Sequence, residues 1–307
     1  MITVFGTLCL DRLHKVPNLP KPGGYVEIGS TALAVGGEGY NTAFALQKWG
    51  HPHTFLANSI GTGMDFEVLR GLLESQGLHS AVVADPGQTT PVCDIYVTPD
   101  GERTMFGIGF AELGQFVPSA HWGRLEGQWF TADPNVGSAS LELALVAAEK
   151  RMGRYFMDFE LDGPCAPVYQ PGDIWQSSTD RFGKRGDLQG NLSAIEQAGS
   201  KTGCLSILTD GRNGFVVCSP GGRGCHFPPF RAPGQVDSTG AGDCFRAGLL
   251  HGLDSGMGRA DALAYAAAAA CLACQGFGAT ASIPTEQAVH DLVAGQPQTQ
   301  AAYRSLI

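Results

Sequence analysis

Short apolar stretches with strand character alternate with longer amphipathic ones along most of this chain, and that rhythm restricts the fold more than any single motif. The chain opens with "ITVFG", passes through the Pro/Gly-rich "VPNLPKPGGYVEIG", and reaches "GGEGYN" followed by the amphipathic "TAFALQKW". The strand-like "TFLAN", the helical "DFEVLRGLLESQG" and the strand-like "AVVAD" come next. This β-α-β order argues for a parallel sheet. "VCDIYVT" and "RTMFGI" then alternate in strand fashion around "PDGE", a turn signal, so a hairpin interrupts the rhythm. It resumes with "GQWFTAD", the helix "LELALVAAEK" and the strand "RYFMDFE". A long irregular stretch leads to the strands "LSILT" and "FVVCS", and three helical patterns close the chain: "CFRAGLLHGLD", "RADALAYAAAAACLAC" and "TEQAVHDLVA". The expectation is one α/β domain over residues 1–307, with a small β excursion from about 12–35 and 90–110.

Composition excludes several function classes. A formal net charge of -9 offers no attraction to nucleic acid or to an anionic membrane. The most apolar tract, "ALAYAAAAACLAC", is too short to span a bilayer, and "MITVFGTLCLD" lacks the charged start of a secretory signal, so a cytoplasmic protein is expected. The nine cysteines are scattered and odd in number, which fits reduced thiols better than a disulfide framework. Cys271 and Cys274 form a lone CxxC inside an alanine-rich run and read as buried small side chains. "HPH", His51 to His53, reads as a turn between helix and strand.

The densest chemistry lies in "DSTGAGD", Asp237 to Asp243, directly before an apolar helical run. A glycine turn entering a helix leaves its first N–H groups unpaired at the positive end of the helix dipole, where a phosphate belongs. Gly240, Ala241 and Gly242 would aim those amides at the anion. An acid beside phosphate is costly unless proton transfer needs it, and Asp243 is placed to take a proton from a hydroxyl attacking phosphorus. The competing reading is that Asp243 merely caps the helix.

"DSTGAGDCFRAG" resembles the C-terminal motif of the ribokinase-like (PfkB) carbohydrate kinases, and "GGEGYNTAFALQKWG" resembles their N-terminal motif. The two stand in the family's order about 200 residues apart, and "GTLCLD", "PDGERT", "TDGRNG" and "GATASIP" extend the similarity through nearly the whole chain. The resemblance implies an α/β fold, a central mostly parallel sheet flanked by helices with a small β lid. It also implies ATP-dependent phosphorylation of a hydroxymethyl group, with Mg2+. By position, Asp243 resembles the family's catalytic base, and Gly240, Ala241 and Gly242 its anion hole. Asp11, Gly36, Gly37 and Asn41 fall where relatives bind sugar hydroxyls; a helix cap for Asn41 and a solvated loop for Asp11 are the alternatives. Thr209, Gly211 and Gly214, with Gly242, fall at nucleotide-binding positions. Asp237, Thr239, Ala273, Gly276, Gly278 and Ser282 match positions where many relatives hold a monovalent cation, K+ among them, against ordinary turn hydrogen bonding.

Two departures stand out. Relatives carry Asn-x-x-Glu after a mid-chain strand, tied to magnesium and phosphates; here "DIWQSSTDRFG" puts Ser178 and Arg181 at those places, with Asp180 as a neighbouring substitute. Arginine cannot ligate magnesium, although it can clamp a phosphate. "MDFELDG", Met157 to Gly163, lacks the arginine of the Asp-x-Asn-x-Arg found in sugar-acid kinases of the family. No GxxxxGK[ST] occurs, and "GTLCLD" lacks the GxGxxG fingerprint.

Three functions are therefore weighed: a kinase of a neutral sugar; a nucleoside kinase, for which Phe106, Phe110 and Phe116 could form a platform under a base; and a non-catalytic sugar-binding regulator derived from such a kinase. The intact Asp243 argues against the third. A homodimer is expected from the exposed edges of the small sheet.

Overall fold

The computed structural model describes residues 1–78, 80–115, 121 and 123–306. In chain order the strands are β1 (Ile2–Gly6), β2 (Cys9–Lys15), β3 (Ser30–Gly36), β4 (His53–Ile60), β5 (Ser80–Ala84), β6 (Val92–Val97), β7 (Arg103–Ile108), β8 (Trp129–Ala132), β9 (Gly153–Met157), β10 (Ile174–Ser178), β11 (Leu205–Thr209), β12 (Phe215–Cys218) and β13 (Gly224–Phe227). The helices are α1 (Glu38–Lys48), α2 (Met64–Gln76), α3 (Ser138–Glu149), α4 (Leu188–Thr202), α5 (Ala241–Asp254), α6 (Arg259–Ala273), α7 (Glu286–Gly295) and α8 (Pro297–Leu306).

The mostly parallel α/β sheet expected from the alternating pattern is present. Its strand order is β13-β12-β11-β10-β9-β8-β1-β4-β5, parallel from β11 through β5 and antiparallel only at β11, β12 and β13. All five residues of β1 are buried, because a parallel strand is covered on both faces. Its alternation still sorts side chains: Ile2 and Val4 enter one core with Leu46, Ala247 and Leu263, while Phe5 enters a second with Leu143 and Ile195. Helices α1, α5 and α6 thus cover one face, and α3 and α4 the other. A separate four-stranded sheet, β3-β2-β6-β7, is built from residues 9–15, 30–36, 92–97 and 103–108.

Three expectations need correcting. The stretch read as irregular contains β10 and α4. The buried face of α4 is Asn191, Ile195, Ala198, Gly199 and Thr202, a helical spacing in which Ile195 is the one large apolar side chain, so its apolar signature is weak. Its ends are locally encoded: the Asp187 side chain accepts from the Gly190 N–H at 3.0 Å, and Gly203 closes the helix at φ 68°. Second, β13 and α8 were not expected at all. Third, α1 begins at Glu38 and so takes in "EGYN", which reads as a loop because of its glycine.

Gly39 has a packing reason to be there. A Cβ on it would lie 2.7 Å from the Gly6 backbone, so α1 can approach the end of β1 only without that atom. Gly39→Ala is expected to destabilise the fold by about 1–3 kcal/mol, the usual range for overpacking a tight contact. Thermal unfolding of the variant measures this, and an unchanged midpoint would contradict the close-approach account.

Candidate active site

The carboxyl ends of the parallel strands, where open α/β sheets place their ligands, meet the amino end of α5. Gly240 is the N-cap of α5 at φ 74°, and a Cβ there would sit 2.8 Å from the Ala279 backbone, so both conformation and packing demand glycine. Of the three amides expected to meet an anion, that of Ala241 donates to the Ser238 carbonyl at 3.2 Å, a turn bond, while those of Gly240 and Gly242 have no backbone acceptor. Around Gly242 there is room: a Cβ would meet only the Gln176 side chain at 3.7 Å and the Met157 sulfur at 4.0 Å.

Asp243 does not cap α5. Its Oδ2 accepts from Asn41 Nδ2 at 2.8 Å, and its Oδ1 lies 3.3 Å from Arg246 Nη2. Burial pushes this carboxyl up to about 7; Arg246 and the Asn41 bond pull it back, and Asp133 and Asp158 push it further. The group is ready to exchange a proton near neutrality, as a general base requires.

Arg246, which sequence reasoning passed over, holds this arrangement together. Its guanidinium is fully enclosed and donates to Thr42 Oγ1 at 2.9 Å, the Ala132 carbonyl at 3.2 Å and the Glu38 carbonyl at 2.6 Å, besides Asp243. The visible signal was a charged residue inside the apolar "CFRAGLL", three positions after an acid.

Asp11 is buried on β2, not in a solvated loop. Its carboxylate occupies the space a Gly36 Cβ would need, 2.1 Å away, and the Cys9 thiol donates to Oδ1 at 3.3 Å. Burial lifts it, too, to about 7, against the opposing thiol bond. Gly37, at φ 104°, caps α1 and passes so near Thr7 that a Cβ would be 2.2 Å from its carbonyl oxygen. Asn41 lies inside α1, past its cap, with the carboxamide turned to Asp243. Asp11, Gly36, Gly37, Asn41 and Asp243 therefore form one connected surface from β2 across α1 to α5.

Three further carboxylates surround it. Asp133 accepts from the Thr7 N–H at 2.8 Å, Thr7 Oγ1 at 2.9 Å and the Asn135 N–H at 3.1 Å. Glu38 opens α1 and accepts from Asn135 Nδ2 at 3.2 Å. Asp158 follows β9 at φ 60°, a backbone region a non-glycine residue occupies only at a cost, and accepts from Ser177 Oγ at 2.7 Å. Arg181 approaches Asp158 at 3.5 Å, while Asp180 is held on the surface by Arg185 at 2.7 Å. Asp180 is thus no substitute for the missing glutamate; Asp158 is the acid near Asp243. Ser178 ends β10, and Asp162, at the place of the missing arginine, pairs with Lys201 at 2.5 Å.

The positions expected to bind nucleotide lie at the end of β11. Thr209 is its last residue, and Gly211 (φ 52°) and Gly214 (φ 89°) bracket a short turn. A Gly214 Cβ would meet the Phe227 carbonyl oxygen at 2.2 Å, so both its conformation and its packing call for glycine. Asp237 joins two loops: Oδ1 accepts from the Thr239 N–H at 2.9 Å and Oγ1 at 2.7 Å, and Oδ2 accepts from the Gly278 N–H at 2.8 Å. Gly276 lies against Ser282, whose Oγ would be 1.9 Å from a Cβ, and Ala273 ends α6 beside them. Asp237, Thr239 and Gly278 are joined by hydrogen bonds and Gly276 lies against Ser282, and the Asp237 carboxylate is committed to these loop hydrogen bonds. Among the described residues, no group of three or more His, Cys, Asp or Glu side chains could hold a metal ion. A Mg2+ here would depend on a lone carboxylate such as Asp158 together with phosphate oxygens, its usual mode of binding.

Among the described residues, the expected aromatic platform does not form on this surface. Cross-strand register places Cys93 beside Asp11 and Phe106 beside Asp94, so Phe106 projects from the opposite face of the small sheet, packed edge-on against Tyr96 at 5.7 Å. Phe110 packs over Gly107, and Phe116 lies outside the described residues.

Similarity to known proteins runs through most of the chain. An uncharacterized sugar kinase of Dictyostelium discoideum is 28% identical over 348 aligned positions, spanning 95% of this chain and 97% of that protein. A nucleoside kinase of Methanocaldococcus jannaschii is 24% identical, spanning 92% of this chain and 93% of that protein. The ribokinase of Cryptococcus neoformans var. grubii, solved with ADP, has the same fold with a TM-score of 0.79 at 22% identity, covering 94% of this chain and 98% of that one. A family model described as pfkB family carbohydrate kinase matches residues 1–118 and 182–286. With more than half of its length so matched, the chain belongs to the pfkB family of carbohydrate kinases.

Proposed function

We propose that the protein uses ATP to phosphorylate a hydroxymethyl group of a sugar, with Asp243 as general base. The observation that carries this reading is the position of Asp243 in the first turn of α5, directly after the Gly240 and Gly242 amides and with a carboxyl near neutrality. A hydroxyl set against Asp243 Oδ gives up its proton as its oxygen attacks phosphorus, and the helix N-terminus stabilises the charge that builds on the transferring phosphoryl group. Asp11, Gly36, Gly37 and Asn41 orient the sugar, and Thr209, Gly211 and Gly214 border the nucleotide. Mg2+, when bound with ATP, offsets phosphate charge. K+ at the loops of Asp237, Thr239, Ala273, Gly276, Gly278 and Ser282 would steady the same turn.

In this reading residues 1–307 act as one catalytic unit in the cytoplasm, and the four-stranded sheet is a lid that closes over the sugar. Its outer face exposes Leu33, Phe106 and Ile108, which favours a homodimer through that sheet. A nucleoside acceptor is the weaker alternative, because Phe106 faces away from Asp11. A purely sugar-binding regulator would have no use for Asp243.

Coupled detection of ADP release across a panel of sugars and nucleosides tests the reaction. A sugar that supports ADP release is expected; tight sugar binding without ADP from any member would favour the regulator. Asp243→Asn keeps an acceptor for Asn41 and should melt close to the parent while turnover falls by about 10²- to 10⁴-fold. A folded, nearly fully active variant would remove Asp243 from the role. Because only the ionised carboxyl accepts a proton, kcat/KM should rise with pH through about 7 and then level off. Asp11 titrates in the same range, so the limb should persist in Asp11→Asn; its loss there would assign it to Asp11 instead.

A further inference from the structure

We propose that the acceptor carries a protonated amine, as an aminosugar or aminocyclitol does, and that Glu38 receives it. This rests on the kinase reading for what happens next to the substrate, but on the pocket's own hydrogen-bond inventory for its charge. The carboxylates of Asp11, Glu38, Asp133, Asp158 and Asp243 surround the site, and its one fully enclosed cation near them is Arg246. The side-chain donors beside Glu38 and Asn41 are already committed. Arg246 is divided among Thr42, Ala132, Glu38 and Asp243; Asn41 Nδ2 serves Asp243; Asn135 Nδ2 serves Glu38 Oε1.

Two acceptors remain enclosed without a donor, Glu38 Oε2 and Asn41 Oδ1. Asn41 is 6% exposed, so its carbonyl oxygen has little access to bulk water. The two residues are three positions apart in α1 and therefore lie on the same face of the helix, one turn apart. A pair of buried acceptors calls for a ligand rich in donors, and an ammonium brings three with no acceptor of its own.

Charge selects between an ammonium and a hydroxyl. Burial pushes the Glu38 carboxyl well above its ordinary range, with Asp133, Asp243 and Asp158 adding to the effect and Arg246 opposing it. A hydroxyl satisfies one lone pair and leaves that cost in place. An ammonium both satisfies the oxygen and restores the ionised form, so the free energy of the interaction is larger. The sugar-kinase motif by itself contains no such preference; it comes from a glutamate inside "GGEGYN".

The test compares matched pairs that differ by one group: glucosamine with glucose, galactosamine with galactose, and an inosamine with its inositol, with N-acetylglucosamine as the neutralised control. For at least one pair the amine is expected to give a kcat/KM about 10-fold or more above its hydroxyl counterpart, the scale of a desolvated charge pair, with acetylation abolishing the gain. Glu38→Gln, which keeps the shape and the Asn135 contact, should bring the amine-to-hydroxyl ratio toward one. Equal or inverted ratios in every pair, or a ratio unmoved by Glu38→Gln, overturn the inference while leaving the kinase reading intact. Calorimetric titration of the same pairs runs in parallel. If no pair releases ADP, the kinase reading is decided by the wider panel of sugars and nucleosides, and the amine inference is judged on binding: tighter amine binding upholds it, and equal or undetectable binding overturns it. Should Glu38→Gln fail to fold, the parental pairs decide the outcome.

Discussion

The enclosed guanidinium of Arg246 is the contact on which the rest of the site depends. It reaches the start of α1 through the Glu38 carbonyl and Thr42, the end of β8 through the Ala132 carbonyl, and its own helix through Asp243. A buried charge is tolerated only when its hydrogen-bonding capacity is met, and removing partners from such a group is more damaging than never having had it. Here the partners are backbone carbonyls at fixed positions in the sheet and helix. They make Arg246 a rigid cation, and a rigid cation allows Asp243 to be buried without becoming permanently protonated. The same bonds set the distance between α1 and α5, so Asn41 meets Asp243 at 2.8 Å. Fold and chemistry share these bonds.

Glycine performs a second, less visible function around the site. At Gly6 and at Gly36 the volume that a Cβ would fill is occupied by a carboxylate oxygen, from Asp133 in one case and Asp11 in the other, each at 2.1 Å. Missing side chains on one strand thus make room for acids on the next, and those acids sit deep enough for burial to govern their ionisation. Crowding so many carboxylates together costs Coulomb energy that falls off slowly in a water-poor site. One buried arginine offsets part of it, and a cationic group on the ligand would offset more.

The four-stranded sheet joins the rest of the molecule through apolar packing, Val35 entering the main core, and through polar contacts to α2 and two loops. Arg12 bonds Asp65 at 2.7 Å, Lys15 lies 4.5 Å over the Phe277 ring, and Arg103 donates to Ser238 Oγ at 2.8 Å. Contacts of this kind between partly exposed groups are individually weak, in contrast to the dry packing of α5 on α6 beneath. The Arg103 contact ends on the residue just before Thr239 and Gly240 and so ties the hairpin to the turn that opens α5.

Several features were legible before any coordinates. The β-α alternation specified a mostly parallel sheet because its strands read as short apolar runs, and "VCDIYVTPDGERTMFGI" specified a hairpin through its turn chemistry. The glycine turn of "DSTGAGD" located the start of α5, because glycine conformational freedom and an exposed helix end are local properties. What stayed hidden depended on neighbours distant in sequence. α4 was missed because Ile195 is the one large apolar residue of its buried face, the rest being small or polar. Arg246, Glu38, Asp133 and Asp158 were missed as site residues because their meaning comes from partners up to 208 positions away. The side of the small sheet on which Phe106 stands follows from strand register, which only the paired strands set. Sequence by itself determined the elements and the turn that presents an acid to an anion, since both arise from short-range sterics and hydrogen bonding. Tertiary structure alone decided which carboxylates are buried together and which cation steadies them, since desolvation and Coulomb energy depend on distances that the chain acquires only when it folds.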